Sequence, residues 1–110
     1  MSTTALPVMP LPRLDLEAPD VDAAVAAAML VADRSRAGIL RLLAGGPHCV
    51  CEMAAALGER QNNVSNHLAR LREAGFVRAS RHGLDARWVY YERDEEVIGR
   101  ASAAIRHVLG

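Results

Sequence analysis

Apolar residues recur at helical spacing from residue 20 onward. Val21, Val25, Met29 and Leu30 mark one face of a first helix ending near Ala32. Asp33-Arg34-Ser35-Arg36 interrupts the pattern, and Asp33 or Ser35 offers an N-cap for a second helix over 36–44. Ile39, Leu40 and Leu43 form its apolar face, and Gly45-Gly46-Pro47 ends it. Residues 48–57 predict a short third helix with Val50, Met53 and Leu57 inward, closed by Gly58. In the fourth, over 61–74, Val64, Leu68 and Leu71 fall at i, i+4 and i+7 as one buried stripe. Gly75 stops it, and Phe76-Val77 dock the exit. Residues 77–81 and 87–91 are β-rich arms around His82-Gly83-Leu84-Asp85-Ala86, a hairpin with a flexible basic tip. Residues 94–109 return to helical spacing through Val97, Ile98, Ala101, Ile105 and Leu109.

Four helices, a hairpin and a last helix make a mainly α chain with a small β-hairpin. That order is a winged helix-turn-helix (α-α-α-α-β-β-α) with helices added at both ends. Pro7, Pro10, Pro12 and Pro19 crowd residues 1–19, which show little periodicity and read as a flexible tail before a domain over 20–110. At 110 residues the chain is one domain, and a dimer interface could supplement its core. Hydrophobic residues are 51%, many of them alanine, with only four aromatics, so the layers are thin. No apolar run approaches the ~18 residues of a membrane span, and no charged-then-apolar signal segment opens the sequence. The only two cysteines, Cys49 and Cys51, are too close in sequence to form a good disulfide framework, so a reducing cytoplasm is the expected setting.

Net charge is zero, which at first argues against a nucleic-acid partner, but its distribution is uneven. Residues 1–33 carry −4, residues 34–57 carry +2, residues 58–93 carry +3 and residues 94–110 carry −1. The positive charge lies where a DNA reader needs it, and dimerisation would double it. The outward face of helix 61–74 carries Gln61, Asn62, Asn63, Ser65, Asn66 and Arg70. Amide side chains can pair bidentately with adenine edges, and a hydroxyl can bond base or phosphate. An ordinary solvated face would favour Glu and Lys, whereas Asn and Ser are poor helix formers without another role. Arg78, Arg81 and Arg87 on the hairpin are candidate phosphate contacts, which position a protein without specifying sequence. His67 joins the DNA-side candidates, although a packed histidine is its simplest reading.

The cysteines have two readings. As small hydrophobes they would be buried, since free Cys is among the most buried residue types. If Val50, Met53 and Leu57 face inward, however, each cysteine sits about 100° off that stripe, on opposite sides. Neither is then an obvious core residue, and a soft-ligand pair before a DNA reader suggests binding switched by a thiol-seeking ion. On a regular helix, residues two apart point about 200° from each other, so both sulfurs would reach one ion only if the first turn opened. As(III) or Sb(III) would take two thiolates and an outside donor. Cd(II), Pb(II) or Zn(II) would want more donors, with His48 nearest.

Val31-Ala32-Asp33-Arg34-Ser35-Arg36, Cys49-Val50-Cys51-Glu52-Met53, Val64-Ser65-Asn66-His67-Leu68 with Leu71-Arg72-Glu73-Ala74-Gly75-Phe76-Val77, and Gly83 with Tyr90-Tyr91 together resemble the ArsR/SmtB family of metal- and metalloid-responsive repressors. The resemblance covers about residues 20–110. It implies a homodimer on an inverted-repeat operator, joined through its first and last helices and released when an ion binds. It also brings departures. Arsenic-sensing relatives often carry a third cysteine where this chain has Ala54, and Arg60 replaces the Ser or Thr that commonly caps the reader helix. A second site type in the family lies on the last helix across the dimer, and Asp94, Glu96 and His107 fall on three of its four positions, a weak candidate zinc site. A solvated acidic helix start, suited to the macrodipole, is the simpler reading of that segment.

The expectation is therefore a ligand-responsive repressor that binds operator DNA as a dimer, uses no constitutive cofactor and catalyses nothing. Arsenite or antimonite at Cys49/Cys51 ranks first as inducer. The rival within regulation is a thiol-redox or persulfide sensor using the same cysteines without metal. An enzyme would need a Cys–His–acid constellation in a pocket, which the sequence does not offer.

Overall fold

The computed structural model describes residues 19–81 and 88–110, so the proline-rich tail and the tip of the hairpin, with His82 and Arg87, lie outside the described residues. The elements are α1 (Pro19–Val31), α2 (Arg34–Leu43), β1 (His48–Cys49), α3 (Val50–Leu57), α4 (Gln61–Glu73), β2 (Val77–Arg81), β3 (Val89–Arg93) and α5 (Glu95–Leu109). The predicted order holds, with one strand added. β1 pairs antiparallel with β3, giving a three-stranded sheet in the order β1-β3-β2. Two residues make too short a run for any period-2 signal, which is why the pattern alone read them as helix. The second arm of the hairpin also sits two residues later than predicted, at Val89–Arg93, with Val77 opposite Arg93 and Arg81 opposite Val89.

The helix ends follow their caps. Asp33 accepts from the backbone N–H of Arg36 at 3.0 Å and starts α2 at Arg34, two residues before the expected start. Asp94 does the same for α5 through Val97, at 3.1 Å. Arg60 stands at the N-cap of α4 and makes no side-chain cap bond, as its chemistry dictates. Between α3 and α4 the chain turns at Gly58, in the left-handed region at φ 66°, where a Cβ would be strained. In mid-helix, Gly38 lets α2 lie close on α3, because a Cβ there would meet the Cδ2 of Leu57 at 2.7 Å.

Ile39, Met53, Leu68, Leu71 and Val64 are the largest fully buried side chains, and all come from α2, α3 and α4. Phe76 and Val77 close this core on the side of the sheet. The Phe76 N–H bonds the Leu71 carbonyl, and the Phe76 carbonyl accepts from the Asp94 N–H at 2.8 Å, fixing the exit of α4 to the start of α5. The α1 and α5 helices pack on each other through small residues, with Ala24 and Ala27 buried. Leu30, Val97, Ile98 and Ile105 are half-buried against the core, while other large apolar residues stay in the open: Met29 is 69% and Leu109 80% exposed. No helix among the described residues is long and apolar enough to cross a membrane.

Candidate nucleic-acid interface and thiol pair

The buried stripe of α4 leaves the opposite face outward, and Gln61, Asn62, Asn63, Ser65, Asn66 and Arg70 are all exposed. At 100° per residue, Asn62 and Asn66 form the crest of that face. Ser65 and Arg72 lean toward the sheet. Asn63, Arg70 and His67 lean toward α2.

On the sheet side, Ser65, Leu68, Ala69, Arg72, Glu73 and Tyr91 line a cleft of about 380 Å³ between α4 and β3. The sequence marks Arg72 and Tyr91 only as part of the family resemblance, not as site residues. Helical spacing placed Arg72 on the outer face beside Ser65, but only the pairing of β3 with β2 brings Tyr91 across from it. Arg78, expected as a phosphate contact, has its guanidinium on Glu92 at 2.8 Å and on Asp94 at 3.5 Å, and both carboxylates favour its charged form. It is 60% exposed, so it can still meet a phosphate, with a charge already partly matched. Arg81, on the last position of β2, is exposed.

On the other flank His67 is turned inward. Its ring lies 3.2 Å from the guanidinium of Arg36 and 3.9 Å from Asp33, with 23% of the side chain exposed. It belongs to the joint between α2 and α4, and the outward crest is formed by its neighbours. A second polar contact joins the same elements, where the Ser35 hydroxyl donates to Glu59 at 2.7 Å in the turn before α4.

The cysteines depart furthest from helical expectation. Cys49 is the N-cap of α3, in extended backbone at φ −87° and ψ 165°, and Cys51 is in the first turn. Leaving the helix at Cys49 removes the 200° divergence, and the two sulfurs lie 2.7 Å apart. No opening of the helix is needed to bring them together. Cys49 is also buried, at 6% exposure, while Cys51 is partly exposed. The expectation that neither cysteine joins the core therefore fails for Cys49, because it sits on β1 rather than on the helix. Glu52 reaches back to accept from the Cys49 backbone N–H at 3.0 Å, the acidic half of a capping box in which a thiol takes the usual place of a hydroxyl. That bond, first, holds the Glu52 carboxyl below its ordinary range. Burial, and then the neighbouring Cys51 thiol, pushes Cys49 up to about 11.

Tested as a ligand set, the thiol pair fits a soft ion. Tetrahedral bonds of ~2.3 Å to one metal hold sulfurs ~3.8 Å apart, so the pair opens by about 1 Å, within reach of a small side-chain rotation. His48 is adjacent, with its Nδ1 3.6 Å from Glu52. Among the described residues no group of three or more His, Cys, Asp or Glu side chains is arranged to hold a metal. Asp94, Glu96 and His107 are not brought together within one chain. They lie at opposite ends of α5, and both Asp94 oxygens already have partners, in Val97 N–H and Arg78.

A sequence profile of the arsR family of bacterial regulatory proteins matches residues 33–79, from the cap of α2 into β2. An uncharacterised HTH-type transcriptional regulator of Methanocaldococcus jannaschii is 38% identical over 71 residues, covering 60% of this chain and 76% of that protein. The chain belongs to the arsR family. The arsenic resistance transcriptional regulator ArsR1 of Pseudomonas putida is 41% identical over 80 residues, 72% of this chain. This family member spans only 60% of that relative's length, and 63% of an arsenical resistance operon repressor of Escherichia coli. Among solved structures, a possible transcriptional regulator for arsenical resistance superposes with a TM-score of 0.67 at 27% identity, over 74% of this chain and 82% of that one. The winged-helix architecture is thus that of its structural neighbours.

Proposed function

We propose that this arsR-family chain is a dimeric transcriptional repressor that holds an inverted-repeat operator and releases it when arsenite or antimonite binds Cys49 and Cys51. The observation that carries the reading is the convergence of the two sulfurs at the junction of β1 and α3. Cys49 is paired through the backbone with Tyr90 of β3, and Cys51 rides on α3, which packs against α4. An ion spanning both sulfurs therefore pulls on the hairpin and on the support of the reader helix together. The similarity to arsenic-resistance regulators supports the same inducer class.

The raised Cys49 thiol favours arsenite over a divalent ion. Trihydroxyarsenic brings its own bases: each As–S bond forms as a thiol proton leaves with an arsenic-bound hydroxide as water. A divalent cation instead requires thiol protons to be lost to solvent, which a pKa of about 11 opposes. DNA is read by Asn62, Asn63, Ser65 and Asn66, with Gln61 and Arg70 beside them. Arg72, Arg78, Arg81 and Arg87 hold phosphates.

The test is a titration of a preformed protein–operator complex under reducing conditions. Arsenite should release the DNA and Cys51→Ser should abolish that release, while cadmium or zinc acts only at higher concentration. Release of the Cys49→Ser/Cys51→Ser variant by arsenite would place the site elsewhere. In the same assay Asn66→Ala should lower discrimination between operator and random duplex by ~1–3 kcal/mol, and Arg72→Ala should weaken both alike. The 2.7 Å approach of the sulfurs also favours a second reading, in which peroxide takes two electrons and two protons from the thiols to form a disulfide and two waters. Release by peroxide with no response to any ion selects it. Zinc across a dimer at Asp94, Glu96 and His107 ranks last, because capping and Arg78 already occupy Asp94.

A further inference from the structure

Arg36 lies in the first turn of α2, outside both the outward crest of α4 and the thiol pair, yet its guanidinium touches two other helices. Its Nε donates to the Leu30 carbonyl and its Nη2 to the Met29 carbonyl at 3.4 Å. Both belong to the last turn of α1, whose carbonyls have no partner within the helix. A cation there also meets the negative end of the helix dipole. Its Nη1 lies 3.2 Å from Nδ1 of His67, in the middle of the reader helix. The chain thus uses one planar guanidinium to tie the end of α1 to the side of α4.

The chemistry of the pair fixes the state of the histidine. A guanidinium can only donate, so the Nδ1 facing it must carry a lone pair. The ring proton is then on Nε2, which points at Asp33 Oδ1 3.9 Å away. Asp33 is itself held by the Arg36 backbone N–H, so the acid, the arginine and the ring form one closed set at the start of α2. Ser35 seats the turn before α4 through Glu59 beside it. The first turn of α2 is therefore the cradle of the reader helix, and Arg36 connects that cradle to α1.

We propose that Arg36 is a positioning residue for DNA reading, which sets the rotation of α4 relative to α1 by donating to a neutral, Nε2-protonated His67. The proposal rests on the DNA-binding reading for its consequence, but its structural half stands on the tautomer alone. A rotation of α4 by a few degrees displaces Asn62 and Asn66 at the crest while leaving the buried stripe in contact, so discrimination is more sensitive to the link than folding is.

Two measurements test it on the full chain. In long-range ¹H–¹⁵N spectra at neutral pH, the His67 ring, assigned by its loss in His67→Gln, should show an unprotonated Nδ1 and a protonated Nε2. The opposite tautomer overturns the proposal whether or not the chain binds DNA. The second compares a duplex selected by the wild-type protein from a random library with a scrambled duplex. His67→Leu, which fills the space but cannot accept, should lose about tenfold in discrimination, the scale of one charge-assisted hydrogen bond. His67→Gln keeps an acceptor and should retain most of it. Arg36→Lys, which cannot serve two carbonyls and the ring at once, should fall with the leucine variant. Unfolding midpoints are followed alongside, because a merely structural role would lower stability and leave discrimination unchanged. Equal discrimination by His67→Leu and wild type, or equal losses in the Leu and Gln variants, also overturns it. A wild-type chain that selects no duplex defeats the DNA-binding reading instead, and the tautomer result remains to decide the link.

Discussion

The reader half and the α1–α5 layer use apolar residues in opposite ways. The α2–α4 unit converges Ile39, Met53, Leu68, Leu71 and Val64 on one point and buries them fully. Among the described residues of α1 and α5 only Ala24 and Ala27 are fully buried. Leu30, Val97, Ile98 and Ile105 are half-buried against the core, and no residue of α5 is fully buried. Val25, Met29, Val108 and Leu109 remain between 52% and 80% exposed. Val21, Val25, Ile105, Val108 and Leu109 line an apolar cleft of about 270 Å³ at one end of this layer. Small side chains bring helices close but remove little area from water, so the layer does not close on itself. The α2–α4 half is a finished core, while the α1–α5 layer leaves apolar surface in the open, which the proposed dimer would cover.

The sharpest break of that comparison is a cavity in the finished core. Leu68→Ala should cost about 2–5 kcal/mol in chemical denaturation, because its neighbours are fully buried and cannot collapse into the space. Val25→Asp, in the open layer, should leave the reader core folded yet move the chain to a monomer in sedimentation and weaken operator binding. If Val25→Asp unfolds the protein as Leu68→Ala does, the two regions are one cooperative core and the contrast fails.

The cysteines give a finer test within the reader half. Burying a hydroxyl at the Cys49 position would ordinarily cost about 1–3 kcal/mol. At the N-cap of α3, however, Ser with Glu52 completes a normal capping box, so Cys49→Ser should stay within about 1 kcal/mol of wild type. Cys49→Ala forfeits the cap and should be the less stable of the two by thermal unfolding. Both should lose release by arsenite.

The smallest effect is acid weakening of the same helix starts. Backbone N–H groups hold Asp33 and Glu52 below their ordinary values of 3.8 and 4.5. A lowered folded pKa means the carboxylate stabilises the fold above the unfolded value, and that contribution is lost as pH falls through the folded one. Amide protection factors at the starts of α2 and α3, with the intrinsic pH dependence of exchange divided out, should fall below pH ~4 and be flat from there to neutrality.

Periodicity located the helices among the described residues, most firmly where a stripe such as Val64, Leu68 and Leu71 can be buried in only one way. In α1, by contrast, the expected face at Val25 and Met29 is exposed, and Ala24 and Ala27 are buried. Asp33 was legible as a cap, beside Ser35, for the same local reason, and so was the polar crest of α4, whereas the cap at Cys49 was not. Contacts between distant segments were not. The pairing of Cys49 with Tyr90 depends on where β3 comes to lie, and that pairing takes Cys49 out of the helix and turns its sulfur onto Cys51. The inward turn of His67 likewise depends on Arg36, 31 residues earlier. Local spacing fixes which face a residue takes within its own element. What that face meets is decided when the elements pack, and here that step brings the two sulfurs together and leaves the α1–α5 layer open.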